Sequence, residues 1–238
     1  MAVRFDLGGL SVDVVFKDIK HVHLSVYPPK GRVRIAAPSR MKLDTIRVFA
    51  ISKLGWIKQQ RKKIQEQQRE TPREYSDRES HYVWGKRYLL KVYEREDASQ
   101  VELKGNRMLL GGRPKTSKAK RRDLMEDWYR EQVKMAVPAL IAKWERRMGV
   151  KVERFFVQRM KTKWGSCNAE GRSIRLNTDL AKKPRECLEY IVVHEMAHLL
   201  ERRHDDRFGA IMDRCLPNWK HLRQVLNSTP LSHADWEY

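Results

Sequence analysis

Two histidines four residues apart, His194 and His198, with Glu195 between them, are the set of side chains best suited to chemistry in this chain. On an α-helix a four-residue step puts side chains on one face with Cβ atoms roughly 5–6 Å apart, close enough for two imidazoles to meet on one metal ion. Glu195 follows His194 by about 100° round such a helix, beside the ion rather than behind it. H-E-x-x-H is the spacing in which two neutral imidazoles bind Zn2+ and the carboxylate takes a proton from the metal's water. A chance match on an exposed helix is the plain alternative, and the surroundings argue against it. From Cys187 to Leu200 the segment is apolar nearly all round, so two imidazoles and a carboxylate buried there unpaired would be strongly destabilising. A metal ion in a water-lined cleft removes that cost.

A catalytic zinc site wants three protein ligands and one open position. The third histidine is His204, six residues past His198. Continued as an ideal helix that step turns about 240°, so the helix must end or bend between Leu199 and Arg203 for His204 to reach the ion. The spacing is that of the metzincin pattern, but the glycine that helps that chain turn is Glu201 here. Glu201, Asp205 and Asp206 are rival third ligands, although Asp205 or Asp206 reads better as the cap of a helix carrying Phe208, Ile211, Met212 and Cys215. Cys167 and Cys187 read as small buried hydrophobes, and Met212 as core. His21, His23, His81, His221 and His233 have no partner at ligand spacing.

The elements that must position this set can be read around it. Pro184 suits the first position of the metal-binding helix. The run Trp164–Gly165–Ser166–Cys167 reads as a strand bordering the cleft, where an extended peptide can pair through its main chain. On the plainer reading Trp164 fills core and Gly165 lets the backbone come close. Phe155 to Trp164 and Ser173 to Asn177 make a hairpin candidate around a turn at Asn168 to Gly171. A long helix runs from near Asp123 to Gly149, with Pro138 expected to kink or split it. Further upstream, Val3 to Ala37 alternates as a small antiparallel meander, with turn chemistry at Pro28 to Gly31. Asp44 can cap a helix reaching about Glu70 with Ile46, Ala50, Leu54 and Ile57 on its buried stripe. Residues 71–80 read as a linker, Tyr82–Trp84, Tyr88–Leu90 and Met108–Leu110 as strands, and Gly111 to Arg122 as a second break. No internal repeat is visible.

At 238 residues, with 41% hydrophobic and 34% charged side chains and no apolar run of about 20, the chain is neither a membrane-spanning nor a disordered protein. Its net charge of +20 favours polyanionic partners, and the basic runs Lys58 to Lys63 and Lys115 to Arg122 are where they would bind, with Lys118, Lys120, Arg121 and Arg122 as the contact residues. A solvated helix face and a flexible loop are the plainer readings of those runs. Three unpatterned cysteines and the charges that interrupt the first twenty residues point to a reducing compartment without a signal peptide, hence the cytoplasm.

Trp164–Gly165–Ser166–Cys167, then Gly171, Ile174, Leu176–Asn177, Leu180 and Pro184, then Tyr190 to Leu199 with His204 and Phe208, resemble the YgjP-like metallopeptidase family. That family is similar to SprT-type zinc proteases and related to the minigluzincins. The resemblance extends over nearly the whole chain, with its specific motifs between Trp164 and Phe208. It implies His194, His198 and His204 as zinc ligands and Glu195 as general base. One departure is Gly209, where the family commonly has Trp. Members are also described, less uniformly, as nucleotide pyrophosphatases.

The expected fold is α+β: an N-terminal antiparallel β-rich region with a long helix (residues 1–110, helix about 44–70) and a zincin-like metallopeptidase domain with an active-site helix (115–238). The expected activity is zinc-dependent peptide hydrolysis, with Trp164, Gly165 and Ser166 along the substrate and with recruitment to nucleic acid by the basic runs. The alternatives are a metal-dependent nucleoside triphosphate pyrophosphatase, which the charge would serve but for which no glycine-rich phosphate cradle is present, and a nucleic-acid-binding protein with a non-catalytic metal site. Against the last, structural zinc sites are usually closed by four Cys or His ligands, leaving Glu195 without a role.

Overall fold

A computed structural model describes residues 2–27, 31–66, 73–96, 99–160 and 163–228. The chain divides into two compact units, with the break between Arg69 and Glu70. The first unit carries β1 (Ala2–Asp6), β2 (Ser11–Lys17), β3 (His23–Tyr27) and β4 (Arg32–Pro38), then α1 (Leu43–Ser52) and α2 (Leu54–Glu66). The runs read as strands in the sequence are strands, yet the sheet is not a meander. Its order is β1-β2-β4-β3, and the central pair β2 and β4 runs parallel. Alternation fixes which face of a strand is buried and leaves the choice of neighbour open. Val12, Val14, Val33 and Ile35 from the central pair form the core with Ile46, Ala50 and Ile57 from the helices. On the sheet's other face Asp13 accepts from Arg4 Nε at 2.7 Å and from Arg32 Nε at 2.5 Å.

The long helix expected over 44–70 is interrupted. Lys53 leaves helical geometry (φ −104°, ψ 6°), and Asp44 lies in the first turn, bonded to Arg47, instead of capping it. The turn at Pro28 to Lys30 and the end of the expected helix beyond Glu66 fall outside the described residues.

The second unit opens with β5 (Ser80–Val83), β6 (Lys86–Glu94), β7 (Gln100–Lys104) and β8 (Arg107–Gly112), followed by α3 (Lys118–Met148). This sheet, β5-β6-β8-β7 with β6 parallel to β8, repeats the order and directions of the first. The sequence shows no trace of that repetition, because a shared pairing scheme does not require shared side chains. Val83, Leu90, Met108 and Leu110 share a core with Met125, Tyr129 and Val133 of α3, so these strands and α3 lie in one compact unit. Strand β7, mostly exposed, was not legible in the sequence.

Helix α3 starts at Lys118, takes in Lys118 to Arg122 from the expected loop, and is not split at Pro138. Pro138 lies on the exposed face, where the carbonyl it leaves unbonded can be hydrated. The buried stripe Met125, Tyr129, Val133, Val137, Ile141, Trp144 and Met148 passes unbroken beneath it, and Gly149 ends the helix in the left-handed region (φ 66°).

The rest of the unit builds the site. Strands β9 (Arg154–Gln158), β10 (Gly165–Asn168) and β11 (Ser173–Asn177) form a sheet in the order β10-β11-β9. The hairpin joins β10 to β11, while β9 runs parallel to β11, so Phe155 to Trp164 is not the hairpin's first arm. A 3-10 turn (Thr178–Lys182) leads to α4 (Arg185–Ala197), with Pro184 at its N-cap, and then to α5 (Asp206–Cys215) and α6 (Trp219–Ser228). Helix α4 packs against β10, β11, α3, α5 and α6. Its Glu189 accepts from Lys143 Nζ at 2.6 Å and Trp144 Nε1 at 2.8 Å, tying α4 to α3. Among the described residues no helix is long and apolar enough to cross a membrane.

Candidate metal centre

Helix α4 is buried on nearly every side, including Tyr190, Ile191, Val192, Val193, Met196 and Ala197, and only its C-terminal end opens to a cleft. His194 and His198 project from that end. The helix stops at Ala197 with His198 as C-cap, and the amides of Leu199, Leu200 and Glu201 bond back to Met196 and Ala197 in a closing turn. The chain then reverses and brings His204 to the other two. The last helical residue lies just before the interval 199–203 that the geometry of the sequence required, and the closing turn runs into it.

His204 Nε2 lies 3.0 Å from His194 Nε2 and 3.1 Å from His198 Nε2. Among the described residues these three form the group able to hold a metal ion, each offering one ligand atom. The rival carboxylates are employed elsewhere. Asp205 caps α5 by accepting from the amides of Arg207 and Phe208, both at 3.1 Å. Glu201 accepts from the Arg203 amide at 3.2 Å, and Asp206 sits in the first turn of α5. The Phe208 ring packs 4.7–4.9 Å from all three imidazoles, centroid to centroid, and backs the cluster.

The donor set fits a cation. His198 Nδ1 lies 3.0 Å from the carbonyl oxygen of Glu201, and a carbonyl only accepts, so Nδ1 carries the proton and Nε2 of the neutral ring presents a lone pair to the cluster. One proton on His204 Nε2 cannot serve both neighbours, so the three convergent nitrogens cannot satisfy one another. Burial, then the neighbouring His198, His204 and Arg223, push His194 down to about 4. Burial, His198 and Arg223 lower His204 as well. Both rings are therefore held in the neutral form that binds metal. Two ligands of a tetrahedral zinc stand about 3.3 Å apart, given bonds of about 2.0–2.1 Å, close to the separations found.

Glu195, 5% exposed, stands beside the cluster with its carboxylate against the backbone of Gly165. Burial pushes its carboxyl up to about 8, with Lys163 pulling the other way. Asn177 fixes the approach to β10: its Nδ2 donates to the carbonyls of Met160 and Lys163, both at 2.8 Å. A cavity of about 590 Å³ is walled by residues 165–170 on one side and by His194, Glu195, His198 and His204 on the other. A second, of about 280 Å³, adjoins it and includes Trp164, Tyr190 and Arg223.

Of the other residues singled out in the sequence, Gly165 and Ser166 line the larger cavity and Trp164 the smaller. Lys183 Nζ stands 5.6 Å from the Trp164 ring centroid. Cys167 also lines the larger cavity, its thiol pushed up to about 11 by burial and by Glu195. Lys118, Lys120, Arg121 and Arg122 lie in the first turns of α3 and line neither cavity. Three of the four have partners within the chain: Lys118 pairs with Glu74, Arg121 donates to the Tyr75 carbonyl and Arg122 pairs with Asp123. Lys163 and Arg223 were not singled out, and Tyr190 was named only as part of the run that carries the family resemblance. Tyr190 precedes His194 by one helical step, which a face argument could have found, whereas Arg223 comes from a helix whose docking leaves no mark in local sequence.

Over residues 20–229 the chain matches the family described as YgjP-like, metallopeptidase domain. Two solved structures of metallopeptidase zymogens are also similar. Abylysin of Pyrococcus abyssi is 19% identical, with 38% of this chain and 90% of that one covered and a TM-score of 0.36. Jannalysin of Methanocaldococcus jannaschii is 18% identical, with 40% and 92% covered and a TM-score of 0.32. None of the curated proteins matches the chain.

Proposed function

The chain belongs to the YgjP-like metallopeptidase family, and from that membership we propose that it is a zinc-dependent peptidase in which His194, His198 and His204 hold the ion and Glu195 is the general base. The observation that carries this reading is the convergence of three Nε2 atoms beside a buried carboxylate, at the wall of a cleft large enough for a peptide. When bound there, zinc acidifies water and polarises a carbonyl oxygen.

The chain's own groups do the rest. Glu195 takes a proton from the attacking water as the water's oxygen bonds to the peptide carbonyl carbon, and returns that proton to the amine as the C–N bond breaks. Burial raises the basicity of the carboxylate, and the Gly165 backbone limits where it can swing. Strand β10 is an edge of its sheet, so an extended substrate can pair with residues 165–168 and lie across Glu195. The Glu201 carbonyl holds the His198 ring in the ligating tautomer.

The test is hydrolysis of a casein-like protein by chelator-treated protein before and after titration with zinc. Activity that returns with about one equivalent of zinc supports the reading. Zinc-loaded protein that leaves polypeptides intact and hydrolyses nucleoside triphosphates would replace it with a pyrophosphatase.

A further inference from the structure

The smaller cavity beside the metal centre has no role in the steps above. It shares Lys163, Gly165, His194 and Glu195 with the larger cleft and extends from them under α6. Its polar lining is one-sided: apart from Glu195 it contains no carboxylate, while Lys163 and Arg223 both face it, with Asn227 beside them. Trp164, Tyr190 and Leu226 supply an apolar wall. Arg223 is exposed and has no carboxylate partner among the described residues.

We propose that this cavity, between Lys163 and Arg223, receives an acidic side chain of the substrate, so that the protein selects peptides with Asp or Glu next to the scissile bond. The proposal rests on the peptidase reading and adds the substrate class. A volume of about 280 Å³ falls just below the usual range of ligand pockets and suits one side chain. Two cations with an amide match a carboxylate's acceptors, and a guanidinium can bind both oxygens at once. The apolar wall accommodates the methylenes that carry the carboxylate. The chain's net charge of +20 favours encounter with acidic substrates.

The experiment uses full-length zinc-loaded protein with matched fluorogenic peptides that differ only in Glu, Gln or Lys at each position flanking the cleaved bond. Binding of the same peptides to the Glu195→Gln protein, followed by anisotropy, provides a readout that does not need turnover. The expected result is a preference of about tenfold or more for Glu over Gln at one position, in kcat/KM and in affinity. Arg223→Gln should shrink that ratio, and Lys163→Glu with Arg223→Glu should turn the preference toward Lys. Arg223 is exposed on α6, so its replacement leaves the fold intact, which thermal melting verifies.

Equal cleavage of the Glu and Gln peptides would overturn the acidic pocket and leave the peptidase standing. A preference that survives both charge reversals would overturn the assignment to Lys163 and Arg223. If no peptide is cut or bound while ATP is hydrolysed and that hydrolysis falls in Arg223→Gln, the cavity takes phosphate, and both the pocket assignment and the peptidase reading are wrong.

Discussion

A β-carbon added to Gly165 would stand 2.5 Å from Oε1 of Glu195 and 2.8 Å from its Cγ. The glycine on β10 and the carboxylate on α4 therefore occupy the space of one ordinary side-chain contact. Gly165→Ala should leave zinc content and the melting temperature nearly unchanged, because only the Glu195 side chain has to move. Hydrolysis should fall by about 100-fold, the scale expected when a reacting group is misplaced by about 1 Å. Steady-state kinetics and metal analysis on one preparation check this, and wild-type turnover in the alanine protein would mean that Glu195 is placed by something else.

His204 and Asp205 are adjacent but differ in their work, one in the cluster and the other capping α5. His204→Ala should weaken zinc binding by more than about 100-fold, and with it the rise in melting temperature that zinc produces. Asp205→Ala should lower the melting temperature through loss of the cap, about 1 kcal/mol, while zinc is retained. Competition with a chromogenic chelator separates the two. Loss of zinc in the Asp205 protein with retention in the His204 protein would reverse the assignment.

In the first unit, burial alone would raise the Asp13 carboxyl, but hydrogen bonds from Arg4 and Arg32 outweigh it and hold the group below the usual carboxylate range. A carboxylate depressed in the folded state adds stability that is present above its unfolded pKa of about 3.9 and is lost as pH falls through the lower, folded value. The protein should therefore lose stability as pH drops below about 4. Asp13→Asn should cost about 1 kcal/mol at pH 7, the partners being half exposed or more, and should flatten that acid limb. Thermal melts between pH 2.5 and 7 of both proteins test it, and parallel curves would show that Asp13 contributes nothing.

More of the candidate cluster than of the fold was legible in the sequence, for physical reasons. His194, Glu195 and His198 sit within one helical turn, so their geometry follows from 3.6 residues per turn alone. His204 needed a chain reversal, and only the arithmetic of an ideal helix said that one must occur. Strand alternation identified Val12, Val14, Val33 and Ile35 as inward-facing, yet the parallel pairing of β2 with β4 is a long-range choice with no local marker. Pro138 was expected to kink or split a helix whose buried stripe carries it through unsplit. The closeness of Gly165 to Glu195 and the reach of Arg223 into the site depend on how elements distant in sequence dock, which no spacing encodes.

The central claim is that Glu195 moves the proton while the three histidines hold the ion, and one variant separates those roles. Glu195→Gln keeps the shape of the side chain and removes its basicity. Zinc content and polypeptide hydrolysis, measured on the same Glu195→Gln preparation, should show about one equivalent of zinc retained and a loss of about 10²–10⁴-fold in turnover. Turnover within a few-fold of wild type at full zinc occupancy would contradict the account.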